Sequence, residues 1–353
     1  MLSLTTACSL FSGCGGDTLG MENADVSVNA YSELQKVFCE THDTNFPTSK
    51  LLGNDITKVK DSTILPWQGD LDIVFAGFPC QSFSNAGKKD PNDPRGQLFN
   101  DFVRVVKLTQ PKVLIGENVK GLITRTTNND EKVIDIISDE FNKIGYTIVH
   151  KVYKLNECGV PQKRERLIIL GIRNDLNIVP HLPTIKKQPV GLLNIVEFSM
   201  KGAIKVDENM FLHIPSSCIL TDLNNNEHED SCIHPFLKLK ANERDIQYKE
   251  SKIWKYAMSF GKRVSPIHCE IIDIRNPSKT IICTYERQPR LFVPLKNSNG
   301  CFLRPLLPDE LKQIQGFPKN FTLCGKDKEK IIQIGNAVPP VLVTDIINHV
   351  KQL

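Results

Sequence analysis

Apolar and polar positions alternate in blocks along the first 180 residues. Strand-length apolar runs lie at 5–10, 26–31, 73–76, 113–117, 147–153 and 167–172, and helical stretches lie at 15–21, 33–42, 97–109 and 133–143. Strands that alternate with helices predict a doubly wound, mostly parallel α/β sheet. The last two runs have no helix between them, which predicts an antiparallel hairpin at the end of the sheet. Past Pro180 the pattern weakens: residues 181–190, with two prolines and two lysines, read as a linker. Short β-like runs follow at 279–284 and 291–295, around an Asn/Asp/Glu-rich loop at 221–230, and helical spacing returns at 308–315 and 341–350. The layout expected is a large α/β unit over 1–182, a smaller, irregular β-rich unit over 183–322, and a segment 323–353 that returns to the first.

Composition narrows this little. At 353 residues and 40% hydrophobic, the chain has enough apolar surface for a core without metal or disulfides. No apolar run approaches the ~20 residues of a membrane span, and the first basic residue is Lys36, so no secretory leader is expected. Eleven cysteines without a Cys-x-x-Cys pair predict free thiols in a reducing, cytoplasmic compartment and no metal site. The net charge of +4 is unevenly placed. Residues 231–303 alone carry +7, from 13 basic and 6 acidic side chains, a local excess suited to a polyanion.

The first strand run leads into Phe11-Ser12-Gly13-Cys14-Gly15-Gly16 and then a helix. Such a turn binds an extended cofactor on backbone N–H groups, with glycines where a Cβ would meet the ligand. Glu33, just past the second strand, is placed for a ribose diol, and Asp55 for an adenine amino group. Together these predict an adenosine cofactor. Gly77-Phe78-Pro79-Cys80 places a thiol at the carboxyl end of the 73–76 strand, the edge where such sheets bind ligands. Glu117 ends the next strand, where a carboxylate needs a partner or a task. Gln162, Arg164 and Arg166 alternate, so on an extended chain they share one face, with two guanidiniums toward the crevice.

These motifs together resemble the cytosine-C5 DNA methyltransferases of restriction-modification type. The match runs through Ser9–Gly20, Gly77–Ser84, Arg95-Gly96-Gln97-Leu98-Phe99, Glu117-Asn118-Val119, Gln162–Arg166, Arg304-Pro305-Leu306, Gln315-Gly316-Phe317-Pro318 and Gly335-Asn336-Ala337-Val338-Pro339-Pro340, in the family's order. Only residues 183–303 lack family motifs, where the family carries its target recognition domain. The resemblance implies a Rossmann-like fold of the class I S-adenosylmethionine-dependent methyltransferases. It makes Cys80 the nucleophile that adds to C6 of a flipped-out cytosine, with Glu117 on N3 and the 4-amino group, Arg164 on O2 and Arg166 in support. Phe11, Gly13, Gly15, Glu33, Asp55, Ile56, Leu98, Asn336 and Val338 are expected around S-adenosyl-L-methionine. Ser84, Lys88, Lys89, Arg95, Gln162, Lys262, Arg263, Arg287 and Arg290 are expected on the DNA, with Arg275 a further candidate. The implied partners are double-stranded DNA and, without direct contact, a restriction endonuclease of the same site. The implied form is a monomer away from membranes.

Two positions depart from the family pattern. Ser9 stands where many members have an acid, and Asp17 stands where a hydrophobic residue is usual. Read locally, Asp17 caps the following helix. Two rival readings remain open at this point: a tRNA cytosine-C5 methyltransferase, and a catalytically silent DNA-binding protein on the same scaffold.

Overall fold

The computed structural model describes residues 1–79, 94–127, 130–222, 258–262, 269–287 and 289–353. In chain order the elements of the first part are β1 (Thr6–Leu10), α1 (Gly16–Glu22), β2 (Ser27–Ser32), α2 (Lys36–Asn45), β3 (Lys50–Leu51), α3 (Asp61–Ile64), β4 (Ile73–Ala76), α4 (Pro94–Thr109), β5 (Val113–Asn118), α5 (Val133–Lys143), β6 (Tyr146–Lys154), β7 (Gln162–Lys163) and β8 (Glu165–Arg173). Seven of the strands form one sheet in the order β3-β2-β1-β4-β5-β8-β6. Pairing is parallel from β3 through β5, and β8 runs antiparallel to both β5 and β6, as the missing helix between the last two runs predicts.

Both faces of this sheet are covered, which explains its nearly continuous apolar strands. Alternate residues of β4 divide between two cores. Ile73 and Phe75 join the layer of α1, while Val74 and Ala76 join the layer of α4 and α5 with Phe102 and Phe141. The loops that follow the parallel strands gather at their carboxyl edge, and that edge carries the site described below.

The second part contains β9 (Ile204–Val206), β10 (Leu220–Thr221), β11 (Met258–Phe260), β12 (Cys269–Ile271), β13 (Ser278–Lys279), β14 (Leu291–Asn297) and β15 (Gly300–Pro305), followed by α6 (Pro308–Ile314), α7 (Asp327–Asn336) and α8 (Pro340–Val350). A sheet runs β11-β12-β14-β15-β9, with β10 on β14. The β-like run expected at 279–284 is only the two-residue β13, which pairs in parallel with β7 and so ties the two parts together. Residues 181–190 have no regular structure, yet they are not a free linker. Leu182 and Ile185 pack on the first core, Lys151 donates to Pro183 O at 2.8 Å, and Lys187 pairs with Asp345 at 2.6 Å.

The C-terminal return has two destinations. Ile331 and Ile334 of α7 enter the core of the second sheet, whereas Leu342, Val343, Ile346 and Ile347 of α8 enter that of the first, against α1. Residues 327–350 have the length and mean hydropathy (1.2) of a membrane span, but Ala337 to Pro339 divide them into two helices and 61% of the window is buried inside the protein. Below them Arg304, fully buried, forks onto Glu310 at 2.6 and 2.8 Å and donates to the carbonyls of Glu197 and Pro305. Glu310 in turn accepts the amide of Leu307, fixing the start of α6.

Candidate active site

The chain leaves β1 at Leu10 and turns sharply. Phe11 adopts φ 56°, Gly13 58° and Gly15 84°, left-handed values that glycine takes without strain and phenylalanine does not. Around this turn a cleft of about 530 Å³ opens at the carboxyl ends of β2, β1, β4 and β5. Its wall includes Phe11, Gly13, Glu33, Asp55, Ile56, Leu98, Asn336 and Val338, eight of the residues expected around a cofactor. Gly15 is not on that wall: a Cβ there would lie 2.5 Å from Phe46, not in the cleft. Gly16 likewise makes room for protein, since its Cβ would stand 2.1 Å from the Val338 carbonyl. Of the three, Gly13 faces open space, with nothing within 4 Å of a Cβ, while the room at Gly15 and Gly16 is taken by protein and not by a ligand. Ser12, Leu34 and Asn54 also line the cleft, and sequence reasoning missed them. Leu34 is 63% exposed beside the acid Glu33, an apolar side chain that no folding role accounts for.

The carboxylate of Glu33 braces the turn. One oxygen accepts the Gly13 amide at 2.9 Å and the other the Gln35 amide at 2.8 Å. Burial raises its pKa, and the amides oppose that rise. Asp55 instead caps a short 3-10 turn: it accepts Thr57 Oγ1 at 2.7 Å and pairs with Lys58 at 3.0 Å, and these contacts hold its carboxyl below the usual range. Asp17 is not a cap. It sits inside α1, whose N-cap is Gly15, and it is almost fully buried. Its Oδ2 accepts the hydroxyl of Ser9, while Oδ1 has no hydrogen-bond partner. Burial pushes this carboxyl up to about 7. The two departures from the family pattern are thus one contact, an acid carried on the helix and a hydroxyl on the strand beneath it.

The other end of the cleft is charged. Pro79 is on its wall and is the last described residue before Cys80. Cys80, Ser84, Lys88, Lys89 and Arg263 lie outside the described residues, and Arg95 belongs to the first turn of α4. Asn118 Nδ2 donates to Phe78 O at 3.0 Å and so fixes the chain that leads to Cys80. Glu117 pairs in register with Ile168, which puts Arg166, two residues along β8, on the same face. Arg166 Nε reaches Glu117 Oε1 at 2.7 Å. Desolvation raises the pKa of Glu117, and Arg166 opposes that rise. Arg164 also lines the cleft, with its guanidinium donating to Gly335 O at 2.9 Å and Ile281 O at 3.2 Å.

Gln162 is not on the cleft wall, although its side chain and that of Arg164 both bond Ile281. The Arg164 amide bonds back to Gln162 O at 3.0 Å, so the strand is interrupted there. Gln162 is fully buried, and its side chain bonds Gln315 and the Ile281 amide, so it presents nothing to a duplex. Of the basic segment, Lys262 and Arg287 are exposed and Arg290 is half-buried. Arg275 forks onto Asp273 at 2.8 Å through both Nε and Nη2, so its charge is already answered.

A family model described as C-5 cytosine-specific DNA methylase matches residues 5–352. Type II methyltransferase M1.HphI of Haemophilus parahaemolyticus is 31% identical over 361 residues, 99% of this chain and 87% of that protein. Type II methyltransferase M.Eco47II of Escherichia coli is 33% identical over 95% of this chain and 76% of its own length. Among solved structures, a putative DNA modification methyltransferase encoded within an E. coli prophage matches with a TM-score of 0.65 at 23% identity over 99% of both chains. A Spodoptera frugiperda DNMT2 mutant matches with 0.66 at 19% identity over 97% of this chain and 98% of its own. At those identities the structural likeness bears on the fold alone, a mostly parallel methyltransferase sheet.

Proposed function

The chain belongs to the C-5 cytosine-specific DNA methylase family, and from that premise we propose that it transfers a methyl group from S-adenosylmethionine to C5 of a cytosine flipped out of a specific duplex site. The observation that carries this reading is the Glu117–Arg166 pair with Arg164 beside it, on the wall of a cleft whose far end is the Glu33-braced glycine turn.

The cleft suits the cofactor. Its volume is that of a nucleoside-sized site, Gly13 leaves open space at the turn, and Glu33 presents a buried carboxylate. Phe11, Gly13, Glu33, Asp55, Ile56, Leu98, Asn336 and Val338 would hold it. Bound there, S-adenosylmethionine supplies an electrophilic methyl group.

Cytosine C5 is too weak a nucleophile unaided. The Cys80 thiolate adds to C6, and the electron pair displaced into the ring makes C5 nucleophilic. Glu117 answers the charge that develops. Burial favours its protonated form, which donates to N3 while its other oxygen accepts from the 4-amino group. Arg166 fixes that carboxyl in place, and Arg164, held by two backbone carbonyls on the cleft wall, serves O2 in this reading. After methyl transfer, loss of the C5 proton returns an electron pair to the ring and expels the Cys80 thiolate.

The second sheet and the basic segment 231–303 serve as the target recognition unit, with Lys262, Arg263, Arg287 and Arg290 on the duplex and Ser84, Lys88, Lys89 and Arg95 on the strand opened by base flipping. Duplex DNA is then the partner, the cytoplasm the place of action, the monomer the working form, and a restriction endonuclease of the same site a counterpart without contact. The test is labelled S-adenosylmethionine with mixed-sequence duplex and, in parallel, tRNA, followed by bisulfite sequencing. Protected cytosines in one short duplex motif, abolished by Cys80→Ser, are expected. Label only in tRNA, or in neither, overturns the reading.

A further inference from the structure

Three buried polar side chains join the cofactor end of the cleft to Ile281, inside the basic segment 231–303. Gln162 Nε2 donates to Gln315 Oε1 at 2.6 Å, and both residues are fully buried. Each glutamine also holds backbone with the other half of its amide. Gln162 Oε1 accepts the Ile281 amide at 2.9 Å, and Gln315 Nε2 donates to Ala337 O at 2.6 Å. Arg164 completes the set on the carbonyls of Ile281 and Gly335. Both peptide groups of Ile281 and the carbonyls on either side of Asn336 are therefore gripped by one cluster.

An apolar core would hold four chain segments together at least as well, because a buried polar network adds little net stability. What such a network specifies is one arrangement, since a shift of any member leaves an unsatisfied polar group in a low-dielectric interior. Here the fixed parts differ in use. Asn336, Ala337 and Val338 line the cleft, while the chain from Ile281 runs on to Arg287, Arg290 and β14 of the second sheet.

We propose that Gln162 and Gln315 are positioning residues that couple cofactor and duplex binding: the arrangement of the Gly335–Val338 turn that the cofactor stabilises is the one that sets Arg164 and Ile281 for the duplex, so each ligand strengthens the other. The inference rests on the function proposed above, and the coupling is reciprocal by linkage.

The test titrates S-adenosylhomocysteine, which supports no turnover, by calorimetry onto the free protein and onto protein saturated with the duplex site found by methylation mapping. The wild type is expected to bind it about ten-fold tighter on the duplex, within the usual range of such couplings. Gln162→Met and Gln315→Met are expected to keep each separate affinity within about three-fold and to reduce the coupling to less than about two-fold. Thermal melting of every variant identifies those that fold. The double variant, in which two thioether side chains meet and only the Ile281 amide and the Ala337 carbonyl lose a partner, serves where a single one does not fold. Equal coupling in folded variants and wild type, or a loss of both separate affinities with the coupling kept, overturns the proposal, as does a wild type with no coupling. Failure of the wild type to bind either ligand alone overturns the functional reading instead.

Discussion

Glu33 and Glu117 look into one cleft from strands β2 and β5, with β1 and β4 between them, about 14 Å apart at ordinary strand spacing. Burial raises the pKa of both, yet their charges are answered differently. Glu33 meets two backbone amides, donors that belong to the turn it braces and cannot leave. Glu117 meets one guanidinium, carried by a different strand. Amides hold a carboxylate as an acceptor and suit a wall that binds a ligand in one pose. A single ion pair leaves lone pairs and a proton site open, and suits a group that follows the charge of a reacting ring. The cofactor end is thus built from backbone and the target end from side chains.

The contrast is broken most severely at Glu117. Glu117→Gln keeps the size but puts a fixed amide where a titrating carboxyl was, and methyl transfer is expected to fall about 10²- to 10⁴-fold. Duplex binding should persist, which gel-shift titration beside the transfer assay measures. Arg166→Leu leaves Glu117 buried without its counter-charge, a change worth about 3–5 kcal/mol where such pairs are fully enclosed. Its melting temperature should drop together with activity. A variant of full activity would remove Glu117 from the reaction. Glu33→Gln is the milder change: the carboxamide keeps one acceptor and turns its NH₂ toward one of the two amides. S-adenosylhomocysteine affinity is expected to fall about ten-fold, from one lost charge-assisted bond, with duplex affinity unchanged. Loss of duplex affinity alone would reverse the assignment of the two ends.

The strands and long helices of the first sheet were legible because apolar burial on both faces leaves unbroken runs, and β4 and α5 have the limits that the pattern predicts. The walls of the cleft were legible where a motif needs a special residue type, as at Gly13, Glu33 and Glu117. Local rules failed where a tertiary contact decides. Alternation put Gln162 in the cleft with Arg164, but Gln315 and the Ile281 amide, both remote in sequence, take up its side chain and keep it off the wall. Helix α7 buries a glutamine and a glycine, Gln333 and Gly335, beside the two isoleucines that reach a core, Ile331 and Ile334, so its apolar periodicity is faint. The ties at residues 181–190 are side-chain bonds to β6 and α8, which composition does not encode.

Asp17 adds a third carboxyl to the comparison and gives its smallest test. It has neither a guanidinium nor the paired amides of Glu33, only the Ser9 hydroxyl and the amides of its own helical turn, and its pKa accordingly stands at about 7 against an ordinary 3.8. A raised carboxyl acts on stability in a definite direction. Between about pH 4 and 7 the folded chain keeps a proton that the unfolded chain has released. Stability from this group therefore falls as pH rises through that window, by at most about 1.4 kcal/mol per pH unit, and levels off above it. His42, held neutral by burial with a pKa of about 3, acts oppositely, because below pH 6.5 only the unfolded chain takes up its proton. The difference between wild type and Asp17→Asn isolates the carboxyl from that histidine. The groups facing Asp17 are Cys8, Cys14 and Glu117, and burial pushes both thiols far above this range. Melting temperatures at pH 5, 6, 7 and 8 should show the asparagine variant gaining on the wild type by full steps up to pH 7 and by a much smaller one from 7 to 8. Parallel curves would mean that Asp17 keeps its charge throughout. The Ser9 hydroxyl and the helix N-terminus would then answer that charge as fully as the paired amides answer that of Glu33, and the pairing of each carboxyl would no longer predict how it titrates.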